Sequence, residues 1–218
     1  MAFRQDQLIP TSLVAEGPQK TWHPAALIEA YAGIAATAKR NWIWWSISRP
    51  LARNSTFANI IEDAPTAVKW HAVADTNYIL SLMSLLNRKK VSDAVRSGHR
   101  VVGTVYRRTR PDENGIKRRR AEVRFDDVAG CLRSPAGGSS RQVILVVEGK
   151  TVGSRLLSPR EAARLMGLDD DYVLPERYNH AYHVCGDGVC VPVVRHIAEH
   201  VLEPVLLDRE TSELIAAE

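Results

Sequence analysis

The stretch Ser158-Pro-Arg-Glu161 constrains this chain more than any other four residues. Three signals agree there. The serine oxygen can accept an amide hydrogen bond from one turn further on. The proline occupies a position where a helix has no use for the N–H it lacks. The glutamate, three residues after the serine, can bond back to the serine amide. The sequence therefore predicts a helix carrying Ala162, Ala163, Leu165 and Met166 and ended by Gly167. The apolar run Val152–Leu157 leads straight into it and reads as a strand. The stretch thus fixes a strand-to-helix junction, although a capping box alone carries no function.

Working backwards, Val143–Val147 is a second strand, joined to Val152–Leu157 through Glu148-Gly-Lys150. Val101, Val102, Val105 and Tyr106 begin a third, and Ile116–Phe125 returns as a fourth after the turn Asp112-Glu-Asn-Gly115. Residues 99–157 form a small β-rich module. Upstream the pattern is helical, with Pro24 opening a helix to about Lys39 that carries Leu27, Ile28, Tyr31 and Ile34. Trp42–Pro50 holds three tryptophans and reads as a core anchor, and Ile60–Pro65 as a short helical turn. Asp75 or Thr76 caps a further helix through Tyr78, Ile79, Leu82, Met83, Leu85 and Leu86, and Ser92–Arg96 is one more, closed by Gly98. The fold class is α+β in three segments: 1–98 mostly helical, 99–157 β-rich, and 158–218 helical.

Charge singles out the middle segment. The chain has a net charge of +4, yet between Arg100 and Arg124 nine basic residues face three acids, a local +6. Arg107, Arg108, Arg110, Lys117, Arg118, Arg119 and Arg120 make up most of it. Such a patch is the footprint of a polyanion partner, or else a solvated hairpin surface. Three cysteines and an N-terminus without a signal-peptide core argue against a disulfide framework and point to the cytoplasm, at the nucleoid in a bacterium. No run of about 18 apolar residues suggests a membrane span.

Two loops are candidates for binding. Cys131–Gln142 joins two glycines, Gly137 and Gly138, to Arg133, Ser139, Ser140, Arg141 and Gln142. Arginine pairs bidentately with guanine and glutamine with adenine, so this loop is suited to base edges. Gly186-Asp-Gly188 reads as a tight turn before a helix opened by Pro192, with Val193, Val194, Ile197, Val201 and Leu202 as its buried stripe. Cys185, Cys190, His196 and His200 mimic a zinc motif, but the five residues between the pairs fall well short of the dozen or so in a finger. We expect no metal.

Taken in order, these blocks resemble the C-terminal part of DNA cytosine-5 methyltransferases. Cys131–Gln142 is similar to the target-recognition core, with Cys131 where threonine is usual and Leu132, Gly137 and Gly138 matching. Arg155, Ser158, Pro159, Arg160 and Glu161 lie in a stretch to Gly167 resembling the ninth motif, which organises the recognition domain. Gly186–Val191 resembles the tenth, with Asp187 in place of asparagine and Val189 matching. Phe3–Pro10 and Trp22–Pro24 look like the segment after the eighth motif. The resemblance implies duplex DNA as partner and S-adenosylmethionine as cofactor, with Asp187, Gly188 and Val189 at the cofactor pocket.

The same resemblance exposes a gap. The family's nucleophile is a cysteine after a proline, whereas Cys131, Cys185 and Cys190 follow Gly130, Val184 and Val189. The family's Glu-Asn-Val has no counterpart, since Glu113-Asn114 precedes Gly115 in a turn, and the glycine-rich cofactor loop is missing. What is implied is the second subunit of a split enzyme, inactive alone. A partner chain carrying the first eight motifs would supply most of a Rossmann-like domain, which the C-terminal helices would complete. An accessory DNA-binding module and a truncated remnant are the alternatives.

Overall fold

The computed structural model describes residues 9–52, 54–134 and 141–208. They divide into two compact units, one formed by 1–52 with 192–218 and the other by 53–191.

The first unit begins with a 3-10 turn, Thr11–Leu13, and strand β1, Val14–Ala15. Helices α1, Ala25–Ala32, and α2, Ala36–Lys39, follow, then strand β2, Trp44–Trp45, antiparallel to β1 with Val14 opposite Trp45. One helix from Pro24 to Lys39 was expected. The chain breaks instead at Gly33, where the Gly33 and Ile34 amides close tight bonds to Ala30 and Tyr31, and Ala35 turns extended. Glycine weakens a helix interior by about 1 kcal/mol, so it is where this one yields. The break lets Tyr31 meet Trp42 and Trp44 at centroid distances of 5.2 and 4.8 Å, and His23 packs edge-on to Trp44 at 4.7 Å. The tryptophans anchor a core, as their sequence context predicted.

In the second unit α3, Phe57–Ile60, sits one turn before the expected Ile60–Pro65 helix. Thr56 and Asn59 form its capping box, and buried Phe57 anchors it. The helix expected through Leu86 is two helices, α4, Val73–Ser81, and α5, Leu85–Arg96, which absorbs the separate Ser92–Arg96 element. The cause is tertiary. Leu82 O accepts from Ala121 N at 3.1 Å and Met83 bridges to Ala121, so the sheet edge captures the chain between the helices. Ser84 then caps α5. Leu85, Leu86 and Tyr78 end up exposed rather than buried.

Strands β3, Val101–Pro111, β4, Lys117–Arg124, β5, Val143–Glu148, and β6, Thr151–Leu156, form one antiparallel sheet in the order β4-β3-β5-β6. β5 is buried on both faces, as its unbroken Val-Ile-Leu-Val-Val run demands. Val102, Ile144 and Val146 pack with Phe57, Leu157 and Tyr182 on one side. Val105, Val143 and Leu145 pack with Ile79, Met83 and Val91 on the other. Helix α6, Pro159–Leu165, follows β6, and α7 spans Tyr178–Asp187.

The expected tight turn at Gly186-Asp-Gly188 is a helix end, because Gly186 and Asp187 close the last turn of α7 and Gly188 is its cap. Gly186 serves another purpose: a Cβ there would meet the Arg133 carbonyl carbon and Ser134 N at 2.7 Å, so only glycine lets that loop lie against the helix.

Returning to the first unit, α8, Val191–Ile197, continues through a π-helical segment, Ala198–Leu202, into helical backbone at 203–208. Its apolar stripe is not buried. Val193, Val194, Ile197 and Leu202 are exposed and Val201 half-buried. No helix among the described residues is long and apolar enough to cross a membrane.

Candidate nucleic-acid interface

The basic patch lies on the β3–β4 hairpin, whose far end runs past the covering helices. Strand alternation sorts the charges. Arg108 stands opposite Arg120 and Arg110 opposite Arg118, so four guanidinium groups share one face. Arg107, Lys117 and Arg119 occupy the other. Like charges directly opposite destabilise a sheet, so packing does not account for this arrangement. Asp112 relieves part of it. Its carboxylate accepts from Arg118 Nε at 2.6 Å and from the Asn114 and Ile116 amides at 3.0 Å, which holds its pKa below the usual range. Gly115, at φ +77°, completes the turn that Asn114-Gly115 announced.

At the hairpin root a cleft of about 510 Å³ is lined by Tyr106, Arg107, Arg108, Arg124, Arg133 and Gln142, among others. The fold thus brings predicted residues of the hairpin and of the Cys131–Gln142 loop into one wall. Tyr106 went unnoticed in the sequence, where it was only a strand residue. Its ring carries the Arg108 guanidinium at 5.7 Å.

Ser139 and Ser140, with Gly137 and Gly138, lie outside the described residues. Arg141 donates through Nη2 to Asn179 Oδ1 at 2.6 Å and stacks 5.5 Å from the Tyr178 ring. Gln142 points inward. It is buried, its side-chain amide faces the Val105 and Val143 carbonyls at 3.4 and 3.3 Å, and its backbone N–H donates to Tyr182 Oη at 3.1 Å. Its side-chain donors thus face the interior of the module.

Behind the loop stands the predicted strand-to-helix junction, and here the capping box is complete. Ser158 Oγ accepts from Glu161 N at 3.1 Å while Glu161 Oε2 accepts from Ser158 N at 2.7 Å. The same carboxylate takes Arg155 in a fork, at 2.8 and 2.6 Å, and the Glu62 amide at 2.7 Å. Arg155 and Glu161 are both fully buried, and Trp70 covers the guanidinium at 5.0 Å. Arg155 Nη2 also donates to Glu62 O at 2.9 Å while its Nε has no partner among the described residues, and the pair ties β6, α6 and the α3 exit together. Pro159 is buried at the first helical position. Arg160 faces outward, donating to the Asp169 and Tyr172 carbonyls at 3.1 and 2.8 Å.

The expected cofactor residues lie on the exposed C-terminal end of α7 and just beyond it. Asp187 pairs with His183 at 2.6 Å, Gly188 N donates to Val184 O at 3.0 Å, and Val189 is exposed. A carboxylate and one apolar side chain on an open edge do not enclose S-adenosylmethionine, the methyl donor that the resemblance implies. Cys185 is buried, and desolvation pushes its thiol up, away from the reactive thiolate. Cys131 is exposed and Cys190 half-buried. Among the described residues no group of three or more His, Cys, Asp or Glu is placed to hold a metal.

Comparison with known proteins gives these features a common setting. The family described as C-5 cytosine-specific DNA methylase matches residues 19–203. The Type II methyltransferase M.HpaII of Haemophilus parainfluenzae is 26% identical over 174 residues, which is 73% of this chain and 41% of that protein. M.Bsp6I of Bacillus sp. (strain RFL6) is 37% identical over 99 residues, 44% of this chain and 30% of its own length. M1.ScrFI of Lactococcus lactis subsp. cremoris is 39% identical over 59 residues, 27% of this chain and 15% of its own. The chain thus spans less than half the length of each of these relatives. With the family matched over most of its residues, this chain belongs to the C-5 cytosine-specific DNA methylases.

Proposed function

We propose that this chain is the DNA-recognition part of a cytosine-5 DNA methyltransferase, and that a second chain with the family's first eight motifs supplies the nucleophilic thiolate, the glutamate and most of the S-adenosylmethionine pocket. The β3–β4 hairpin is the observation that carries the reading. Seven cations on a strand pair that extends past its core are costly to the fold and useful to a protein that grips phosphates. In this reading Arg107, Arg108, Arg110 and Lys117–Arg120 hold the backbone of duplex DNA, with Arg133 at the root. Arg141, with Ser139 and Ser140 beside it, reads base edges, while Gln142 frames the loop from inside. Asp187, Gly188 and Val189 complete the cofactor pocket from one side.

Two features support a catalytic part held outside these residues. None of the three cysteines follows a proline as the family's nucleophile does, and the buried one is held as thiol. The exposed Val193, Val194, Ile197 and Leu202 give the C-terminal helix an apolar face of the kind that docks onto a Rossmann-like domain.

The test is methyl transfer from labelled S-adenosylmethionine to plasmid DNA, with this chain alone and mixed with a chain carrying the first eight motifs. Activity in the mixture only is the expected result. Activity from this chain alone would overturn the split. Silence in both, with DNA binding intact, would leave a recognition module without a catalytic role.

A further inference from the structure

The fold assembles a second cationic site that no stretch of sequence displays. A cleft of about 690 Å³ opens where the α7 N-terminus meets β6 and the 67–71 loop. Lys69, His71, Arg141, Arg177 and His180 line it, with no aspartate or glutamate among the described residues that do. Ala67, Val68 and Leu156 give it an apolar floor.

Three features make it a receptor for an anion. α7 has ten residues, and its N-cap, Arg177, makes no side-chain cap, so the Tyr178 and Asn179 amides have no acceptor within the helix and the positive end of the dipole lies at the cleft, while the His180 amide is taken by Arg177 O at 2.9 Å. Arg141 is fixed at the wall by Asn179 and Tyr178 rather than free to wander. Its Nε is buried with no partner among the described residues. The volume far exceeds one phosphate, and an apolar floor beside cations suits a phosphate with its sugar attached.

We propose that this cleft seats a phosphodiester of a nucleic-acid strand, with the α7 N-terminus, Arg177 and Lys69 as its ligands. The proposal rests on the DNA-recognition reading and names a contact of that surface that the hairpin does not provide.

The experiment uses the full chain as wild type, as the single variants Arg177→Gln and Lys69→Gln, both at exposed side chains, and as the double variant that combines them. Duplex DNA binding is titrated across salt, and inorganic phosphate and a nucleoside monophosphate are titrated while the Tyr178, Asn179 and His180 amides are followed by NMR. Expected are shifts of those amides with phosphate, lost in Arg177→Gln, and a salt slope shallower by about 0.9 in the double variant, the value of one phosphate contact. Unchanged slopes with no amide shifts would overturn the site. Amide shifts with an unchanged DNA slope would overturn the strand as occupant and leave a free phosphate or nucleotide. If wild type binds no DNA while the amides still respond to phosphate, the recognition reading fails and the anion site survives.

Discussion

The β3–β4 hairpin draws its seven cations from the short stretch 107–120, whereas the α7 cleft draws its three, Lys69, Arg141 and Arg177, from three stretches that meet only in the folded chain. The hairpin's guanidinium groups stand opposite one another beyond the core, where solvent and flexible side chains absorb the repulsion. The cleft's cations are spaced around a floor, and Arg141 among them is held by an amide oxygen and an aromatic face. A hairpin of this kind supplies attraction without sequence information. A walled cleft supplies position.

The largest effect on that contrast should come from the framework. Glu161→Ala leaves the Arg155 guanidinium buried without its carboxylate and should cost about 3–5 kcal/mol, read from urea unfolding. It should destroy the cleft, whose floor includes Leu156 next to Arg155, while leaving the hairpin charges in the chain. Replacing Arg155 and Glu161 together by methionines should recover most of the loss. A shift below about 1 kcal/mol in Glu161→Ala would mean the network is incidental.

Arg141→Ala comes next and should cut discrimination between the methylated sequence and its single-base variants by about 1–3 kcal/mol, measured with the complete enzyme. Asn179→Ala should reproduce part of this, because it frees the guanidinium without removing it. An unaltered target and rate in Arg141→Ala would end the base-reading assignment.

Lys117→Gln on the hairpin should act differently, weakening all DNA sequences alike and flattening the salt slope by about 0.9. Discrimination should not move. A change in target preference here would erase the distinction between the two regions.

The smallest effect concerns pH. Burial lowers the His71 pKa from its ordinary 6.5, with Asp75 opposing and Arg107 assisting. A base whose folded pKa is depressed binds protons more readily once unfolded. Stability should therefore be full above about pH 6.5 and fall as the pH drops toward the folded pKa. Urea midpoints at pH 7 and pH 5.5 should differ by less in His71→Gln than in wild type.

Much of this could be read beforehand. The capping box at Ser158 and the turn at Gly115 were legible because a few adjacent side chains satisfy the backbone locally. The four strands were legible because β5 and its neighbours carry unmistakable apolar runs. The helix expected through Leu86 failed for the opposite reason, since its break at Leu82–Met83 is made by a strand edge distant in sequence. Gln142 looked like a base reader because glutamine suits adenine, and nothing nearby revealed the two carbonyls waiting inside. Tyr106, Asn179 and Lys69 gave no signal, as isolated residues of their kinds occur on any surface.

The sequence by itself determined the strand-to-helix junction, the concentration of charge and the order of motifs that ties this chain to its family. These depend on neighbours in the chain, whose spacing is set by covalent geometry. Only the tertiary structure decided that Arg155 and Glu161 would close a buried network with Glu62, that Gln142 would turn inward, and that Lys69, Arg141 and Arg177 would share a cleft. Those outcomes depend on which surfaces pack together, and desolvation acts on a side chain only after packing has chosen its surroundings.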